Sequence, residues 1–156
     1  MNNYRMLING EFVDSVKKEV VNSINPSTGE KIADFPKARL EDCRLAINAA
    51  REAFDNGDWP KVTQDERSAY LLKIAQLIRE QAKELADIES QDIGKTSKQT
   101  TFIDVPTCAA TFEYFANVSL MLAEESVKVP APAESRLLKE PVGVVAAIIP
   151  WNYPLI

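Results

Sequence analysis

The first 39 residues have the hydrophobic pattern of short strands. The turn pair Asn9-Gly10 lies between Met6-Leu7-Ile8 and Glu11-Phe12-Val13, which is typical of a tight hairpin. Val20, Val21 and Ile24 predict a further strand. Turn-forming residues gather at 25–30, after which residues 31–35 can extend again. The opening therefore predicts a small antiparallel layer.

From Leu40 the apolar residues recur at three- and four-residue steps, which is the period of an amphipathic helix. The first helix is predicted to run from Leu40 to a stop at Asn56-Gly57. A second begins at Thr63, because Thr63 and Glu66 have the spacing of a capping box, and ends near Gly94.

A third helix is predicted from about Lys98 to Glu125. Pro106 lies near its beginning, where proline either kinks a helix or marks its first turn. One face of this helix carries the predicted core positions Phe102, Val105, Cys108, Phe112, Phe115, Ser119 and Leu122.

The pattern changes again after the helices. Residues 129–133 are rich in proline and residues 136–140 alternate weakly, which indicates an exposed connector and a strand. Residues 142–149 form an uninterrupted apolar run, typical of a strand buried on both faces of a parallel sheet. One such strand cannot make a sheet, so we expect an α/β protein whose remaining strands lie in additional chain.

Composition narrows the classes of function. Eighteen basic and 23 acidic residues give a net charge of −5, which disfavours nucleic acid as a partner. The first ten residues hold neither a signal-peptide core nor a membrane span. Two cysteines cannot build a disulfide framework, so we expect a cytoplasmic protein without a membrane partner. With no histidine in the chain, Ser-His and Cys-His pairs and the usual zinc sites are excluded.

The two cysteines are predicted to be structural. Cys43 and Cys108 each fall on the apolar stripe of a predicted helix, where burial raises the pKa of a thiol and leaves it unreactive.

The candidate for chemistry is Asn152, which follows the apolar run at the carboxyl end of the predicted strand, where open parallel sheets bind ligands. Pro150 and Pro154 restrict the backbone on either side, so the Asn152 amide could be a fixed donor to a developing oxyanion. From spacing alone, the competing interpretation is an asparagine that satisfies loop backbone. Trp151 alone would be interpreted as a core or lid aromatic.

The run from Glu140 to Leu155 resembles the aldehyde dehydrogenase segment P-V-G-V-V-x-x-I-x-P-W-N-[FY]-P-L. The family often has Asn or Thr where this chain has Ile93, which affects only the local turn. Further matches lie in order along the chain: Ile8-Asn9-Gly10, Asn25-Pro26 with Gly29-Glu30, Gly57 with Trp59, Arg67, and Asp92 with Gly94-Lys95.

The resemblance implies an aldehyde dehydrogenase-like α/β fold in four regions. Residues 1–39 would form the amino-terminal strands and loop, and residues 40–125 the helical part of a cofactor-binding domain. Residues 126–141 would form oligomerisation strands. Residues 142–156 would begin a truncated Rossmann-like sheet.

The resemblance also implies NAD(P)-dependent oxidation of a small aldehyde to a carboxylic acid. In the family a cysteine thiolate attacks the aldehyde, hydride passes to the nicotinamide of NAD or NADP, and water hydrolyses the thioester. Asn152 matches the asparagine that stabilises the oxyanion, and Ile149, Pro150, Trp151 and Asn152 match positions of the cofactor cleft.

The family nucleophile, general base and glycine-rich cofactor turn would lie beyond this chain, so we expect the chain alone to be inactive. Family members are usually homo-oligomers, either dimers or tetramers. The alternative function is a non-catalytic assembly module. A free-standing NAD-binding domain is disfavoured because no glycine-rich turn is present.

Two further sites follow from the resemblance. Ser23, Ile24 and Asp92 match positions where some members hold a monovalent cation, K⁺ or Na⁺, with oxygen ligands. The competing interpretation is that Asp92 caps the turn before Gly94. Tyr153 matches a substrate position that is also Tyr in some members that oxidise betaine aldehyde, and an aromatic face attracts quaternary ammonium.

Overall fold

The chain folds into amino-terminal strands, a group of helices and an extended carboxyl-terminal segment. The computed structural model describes residues 2–122, 125–130 and 132–156. Its strands are β1 (Asn2–Asn3), β2 (Met6–Ile8), β3 (Glu11–Val13), β4 (Val20–Ile24), β5 (Lys31–Pro36), β6 (Glu125–Val127) and β7 (Ser135–Leu137). Its helices are α1 (Leu40–Asp55), α2 (Gln64–Glu80), α3 (Ala82–Ile93), α4 (Ser97–Gln99) and α5 (Val105–Leu120), with a 3₁₀ turn at Trp59–Lys61 and a π-helical turn at Thr100–Asp104.

The sequence predicts four of the five amino-terminal strands, β2 to β5, but not β1, and the predicted antiparallel layer is divided into two sheets. β2 and β3 form an antiparallel hairpin in which Ile8 pairs with Glu11. Asn9 and Gly10 both have positive φ, 53° and 80°, as a two-residue hairpin turn of this hand requires. β5 lies between β4, which is antiparallel to it, and β1, which is parallel.

Helix α1 has the predicted bounds, and Asn56 is its C-cap. Buried Asp42 joins it to the strands, because its carboxylate accepts from the backbone N–H groups of Val16 and Arg39, both at 2.8 Å. Cys43 is exposed. The predicted burial of Cys43 is therefore wrong, because the buried side of α1 runs through Asp42, and its stripe residue Ile47 is also exposed.

The predicted second helix is two helices. Thr63 and Glu66 form the expected capping box at the start of α2, and Gly94, with φ 72°, ends α3 in the left-handed region. The helix breaks at Gln81. α2 packs along α5, whereas α3 packs mainly against the π-helical turn. The break at Gln81 therefore allows the two helices to pack against different elements.

The predicted third helix is also interrupted. Between α4 and α5, the Val105 N–H bonds to the Thr100 carbonyl five residues back. Pro106, in the first turn of α5, has no N–H to continue the regular ladder, which accounts for a π-helical turn at this point. α5 ends at Leu120, not at Glu125, which begins β6; residues 123 and 124 lie outside the described residues.

Small residues form the contact between α2 and α5. Ala75 of α2 and Ala109 and Ala116 of α5 have no exposed surface, which lets the two backbones approach closely. Of the predicted core positions on this helix, Val105 and Cys108 are buried as expected. The prediction is wrong for Phe102 and Phe115, which are 74% and 55% exposed because the alanine face, not the aromatic one, contacts α2. It is also wrong for Leu122, which is 44% exposed and lies beyond the end of α5.

The carboxyl-terminal segment is extended, and most of its residues are exposed. β6 and β7 form an antiparallel hairpin; Ala131, in the predicted connector, lies outside the described residues. Residues 142–149 are not part of a strand, and Val142 and Ile148 are 88% and 95% exposed. The expected burial on both faces is absent because no described strand pairs with this run. The assignment of the four regions to domains stays a prediction.

Candidate active site

Asn152 lies in a turn between Pro150 and Pro154. The turn that follows, Tyr153–Ile156, is closed by the Ile156 N–H, which donates to the Tyr153 carbonyl at 3.2 Å. The Asn152 side chain is exposed. If Asn152 only stabilised its loop, its side-chain amide would form hydrogen bonds with nearby backbone groups. No residue within the described ranges forms a hydrogen bond with this amide. The amide is thus available to a ligand.

Tyr153 connects this turn to the helices. The Lys95 ammonium lies over its ring, with Nζ 3.6 Å from the ring centroid. Gln99 Nε2 donates to Tyr153 Oη at 3.5 Å. Both partners lie in the segment that follows α3, so Tyr153 is attached to one part of the helical body.

Lys95 belongs to a buried group of charges, which we call the Lys95 cluster: Glu89, Lys95 and Asp104. Lys95 Nζ lies 3.3 Å from Glu89 Oε1 and 2.6 Å from Asp104 Oδ2. The two acidic side chains are 2% and 0% exposed, and Lys95 is 14% exposed. Glu89 Oε2 and Asp104 Oδ1 have no hydrogen-bond partner among the described residues.

The two carboxylates keep Lys95 charged. Burial alone would lower the pKa of Lys95, but its bonds to Asp104 and Glu89 outweigh burial and raise this pKa. Burial raises the pKa of Glu89, and the nearby Asp104 raises it further, against the opposing effect of Lys95. The cluster therefore holds a permanent cation beneath the Tyr153 ring.

Neither Glu89 nor Asp104 belongs to a motif that can be recognised in the sequence. Each carries a charge directly beside an apolar residue of a helix, Ile88 and Val105 respectively. That signal is weak, because charged residues alternate with apolar ones along every amphipathic helix.

A surface groove of about 460 Å³ lies beside the turn. It brings together most of the predicted cation and cofactor positions, while Ser23 and Asn152 are not among its lining residues. Trp151 is 83% exposed, so it is not a core aromatic in this structure. The groove is lined by Ile24, Pro26, Asp92, Ile93, Ile149, Pro150, Trp151 and Pro154.

Ser23 is not a groove residue but contacts Asp92, which is one. Its Oγ donates to Asp92 Oδ1 at 2.5 Å, and the register of β4 against β5 shifts between Ser23 and Ile24. The Gly94 N–H bonds to the Ser90 carbonyl at 3.0 Å, so its partner is not the Asp92 carboxylate. In the part of the chain that the structure describes, no three acidic, histidine or cysteine residues converge as metal ligands.

Neither cysteine lines the groove. Cys108 is buried on α5, and burial, followed by the charge of Glu89, raises the pKa of its thiol. Cys43 lies exposed on α1.

The family follows from comparison with known proteins. Residues 12–156 match the aldehyde dehydrogenase family. The chain belongs to this family. Aldehyde dehydrogenase 1 of Tanacetum cinerariifolium is 41% identical over 150 residues, which cover 96% of this chain and 30% of that protein. Betaine aldehyde dehydrogenase of Bacillus subtilis (strain 168) is 40% identical over 152 residues, 97% of this chain and 31% of that protein.

Solved aldehyde dehydrogenases have the same fold over this length. An indole-3-acetaldehyde dehydrogenase in the apo form superposes with a TM-score of 0.95 at 32% identity, covering 99% of this chain and 36% of that one. Betaine aldehyde dehydrogenase from Staphylococcus aureus, in complex with NAD⁺, gives a TM-score of 0.93 at 39% identity, covering 97% and 30%. The α/β fold is confirmed, and the chain spans about a third of the length of these relatives.

No described helix combines the length and the apolar character that crossing a bilayer requires.

Proposed function

We propose that the intact protein oxidises a small aldehyde to a carboxylic acid with NAD or NADP, and that this chain supplies the oxyanion donor. The observation that carries the proposal is the exposed, unbonded amide of Asn152 in a turn bracketed by prolines, in a chain of the aldehyde dehydrogenase family.

Asn152 would act by donating its side-chain N–H to the oxygen of the aldehyde as that oxygen gains negative charge. An amide carries no titrating proton near neutral pH, so its donor strength is constant there. The donor must lie about 2.7–3.1 Å from the oxyanion, and removing one such donor typically lowers turnover by about 10²–10³-fold. The flanking prolines would limit the reorganisation needed to reach that position.

The apolar positions before Asn152 fit a cofactor cleft. Ile149 and Trp151 are 59% and 83% exposed, and with Pro150 they present a bare apolar surface beside the donor. Such a surface suits the flat faces of a dinucleotide's rings. When bound, the nicotinamide supplies the hydride acceptor.

The nucleophile is proposed to lie in the remainder of the protein. Cys108 is buried with a raised pKa, which suppresses the thiolate, and Cys43 is on α1, outside the groove residues. The chain of 156 residues is accordingly proposed to be inactive alone.

Ser23, Ile24 and Asp92 are proposed to bind K⁺ or Na⁺. Support comes from the Ser23–Asp92 contact and from the register shift at Ile24, which takes backbone oxygens out of the regular ladder. Carbonyl and carboxylate oxygens are the ligands that hard cations prefer.

Tyr153 is proposed to face the substrate, and betaine aldehyde is the proposed substrate class. The ring is 40% exposed, and an aromatic face attracts quaternary ammonium. The sequence identity of this chain to two betaine aldehyde dehydrogenases, 40% and 39%, supports the same substrate class.

The test is NAD(P)H formation by the intact protein with a panel of aldehydes that includes betaine aldehyde and unbranched aliphatic aldehydes. Turnover with any aldehyde supports the reaction, and a higher kcat/KM for betaine aldehyde supports the substrate class. No turnover with the whole panel would reject the enzyme. Preference for the aliphatic aldehydes would reject only the substrate class.

Assembly is the second candidate. Within the described residues the β6–β7 hairpin pairs with no third strand, so its edges suit pairing with a strand of another subunit. A homodimer or homotetramer is proposed, and an oligomer without turnover would favour the assembly function.

A further inference from the structure

The reaction described above assigns no role to the Lys95 cluster, yet Lys95 contacts Tyr153, the residue next to Asn152. A Lys ammonium has three donor protons. Here three groups surround Nζ: Asp104 Oδ2 at 2.6 Å, Glu89 Oε1 at 3.3 Å and the Tyr153 ring centroid at 3.6 Å. The ammonium is thereby fixed between the helical body and the turn.

A buried ion pair adds little net stability when the free energy of desolvating its two charges offsets their attraction. In this cluster the pairs instead hold the Lys95 ammonium in one position. Glu89 closes this cluster from α3 and Asp104 from the π-helical turn. Among the residues described, the only hydrogen bond, ion pair or ring contact that the cluster makes with the carboxyl-terminal segment is the one from Lys95 to Tyr153.

We propose that Lys95 is a positioning residue: its ammonium, held by Glu89 and Asp104, anchors the Tyr153 ring and so fixes the turn that presents the Asn152 amide. The inference rests on the proposed function. Residues 142–149 pair with no described strand, so in this structure the turn is joined to the helices on its other side, through Tyr153. Tyr153, the residue after Asn152, makes this connection through Lys95 and Gln99.

The kinetic test compares Lys95→Met with Lys98→Met in the intact protein, each alone and combined with Asn152→Ala. Lys98 is exposed and lies outside the cluster, so Lys98→Met keeps the wild-type rate. Because a donor displaced by about 1 Å can lower turnover by about 10²-fold, Lys95→Met is expected to reduce kcat at least tenfold. The KM of an unbranched aliphatic aldehyde, which has no quaternary ammonium for Tyr153 to bind, should change little.

Combination with Asn152→Ala separates positioning from a general structural effect. If Lys95 acts through Asn152, Lys95→Met causes no further loss once the amide is absent. An equal loss in both backgrounds, or no loss in either, overturns the proposal.

Hydrogen exchange of the Ile156 amide, which bonds to the Tyr153 carbonyl, tests the same anchor without turnover. Faster exchange is expected in Lys95→Met and Tyr153→Leu, and Tyr153→Phe should restore protection because it keeps the ring. If Lys95→Met does not fold, the two Tyr153 variants decide alone, and equal protection in both overturns the anchor. Absent turnover in the wild type would reject the proposed function, while exchange still decides the role of Lys95.

Discussion

Buried charges at the residue scale set the pH behaviour of this chain. Glu89 faces Lys95, Asp104 and Cys108, and its pKa is raised chiefly by burial. An acid whose folded pKa is raised holds its proton more tightly when folded than when unfolded. Stability from this group is therefore present below the unfolded pKa and is lost as pH rises from there through the folded pKa.

We expect Glu89→Gln to flatten the decline in unfolding free energy that begins near the ordinary glutamate pKa and continues upward. Urea unfolding of the chain at several pH values measures this slope. Glu84→Gln, an exposed change on the same helix, is the matched control and should keep the wild-type slope. An identical decline in Glu89→Gln would remove Glu89 as its source.

The two cysteines should differ sharply in reactivity. Cys43 is exposed, whereas Cys108 is 4% exposed with a raised pKa, and only the thiolate reacts readily. One equivalent of a thiol reagent should therefore label the native chain at Cys43, with Cys108 labelled only on unfolding. Mass spectrometry of the labelled peptides checks this. Labelling of Cys108 at the rate of Cys43 would show that its site opens in the native chain.

At the element scale, Gly94 ends α3 and lies close to Pro26 in the loop before β5. It has φ 72°, and a Cβ at this position would lie 2.7 Å from Pro26 Cγ. Gly29 has a similar φ of 75° but nothing within 4 Å of a Cβ. The pair thus separates the cost of backbone conformation from the cost of crowding.

Gly94→Ala should lower the free energy of unfolding by about 1–3 kcal/mol more than Gly29→Ala, since overpacking of this kind typically costs that amount. Both variants share the left-handed backbone cost of about 1–2 kcal/mol. Equilibrium urea unfolding measures the difference. Equal losses would mean that the loop at Pro26 yields without cost.

Elements with local signals were predictable from sequence. The Asn9-Gly10 hairpin, the capping box at Thr63 and the stop at Gly94 depend on neighbours in the chain, and the structure confirms each. The break at Gln81, the π-helical turn and the alanine face of α5 depend on which helix packs against which. Apolar periodicity alone gave too much weight to large residues such as Phe102.

The candidate site divides in the same way. The Asn152 motif is contiguous, so its residues could be read directly, and their roles stay predictions. Glu89, Lys95 and Asp104 converge only after α3 and the π-helical turn have folded together, so no contiguous pattern indicates that these charges meet.

At the scale of the whole molecule, the extended segment before Asn152 exposes a large apolar surface. Val142, Val145 and Ile148 are 88%, 70% and 95% exposed. Contiguous apolar surface of this kind mediates association. Residues 142–149 would be covered in the intact protein if they enter the predicted parallel sheet.

The 156-residue chain alone should therefore self-associate and bind a hydrophobic dye, and Ile148→Glu should reduce both. Ala69→Glu adds the same charge at an exposed position of α2 and should change neither. Sedimentation velocity at several concentrations measures association. A chain that stays monomeric and binds no dye would show that this surface does not mediate association.

The most direct test of the account is kcat of the intact protein with Asn152→Ala. We predict a loss of about 10²–10³-fold, as for removal of one oxyanion donor, while Asn117→Ala, which removes an exposed amide from α5, keeps the wild-type rate. If Asn152→Ala turns over aldehyde as fast as the wild type, this turn is not where the oxyanion is stabilised.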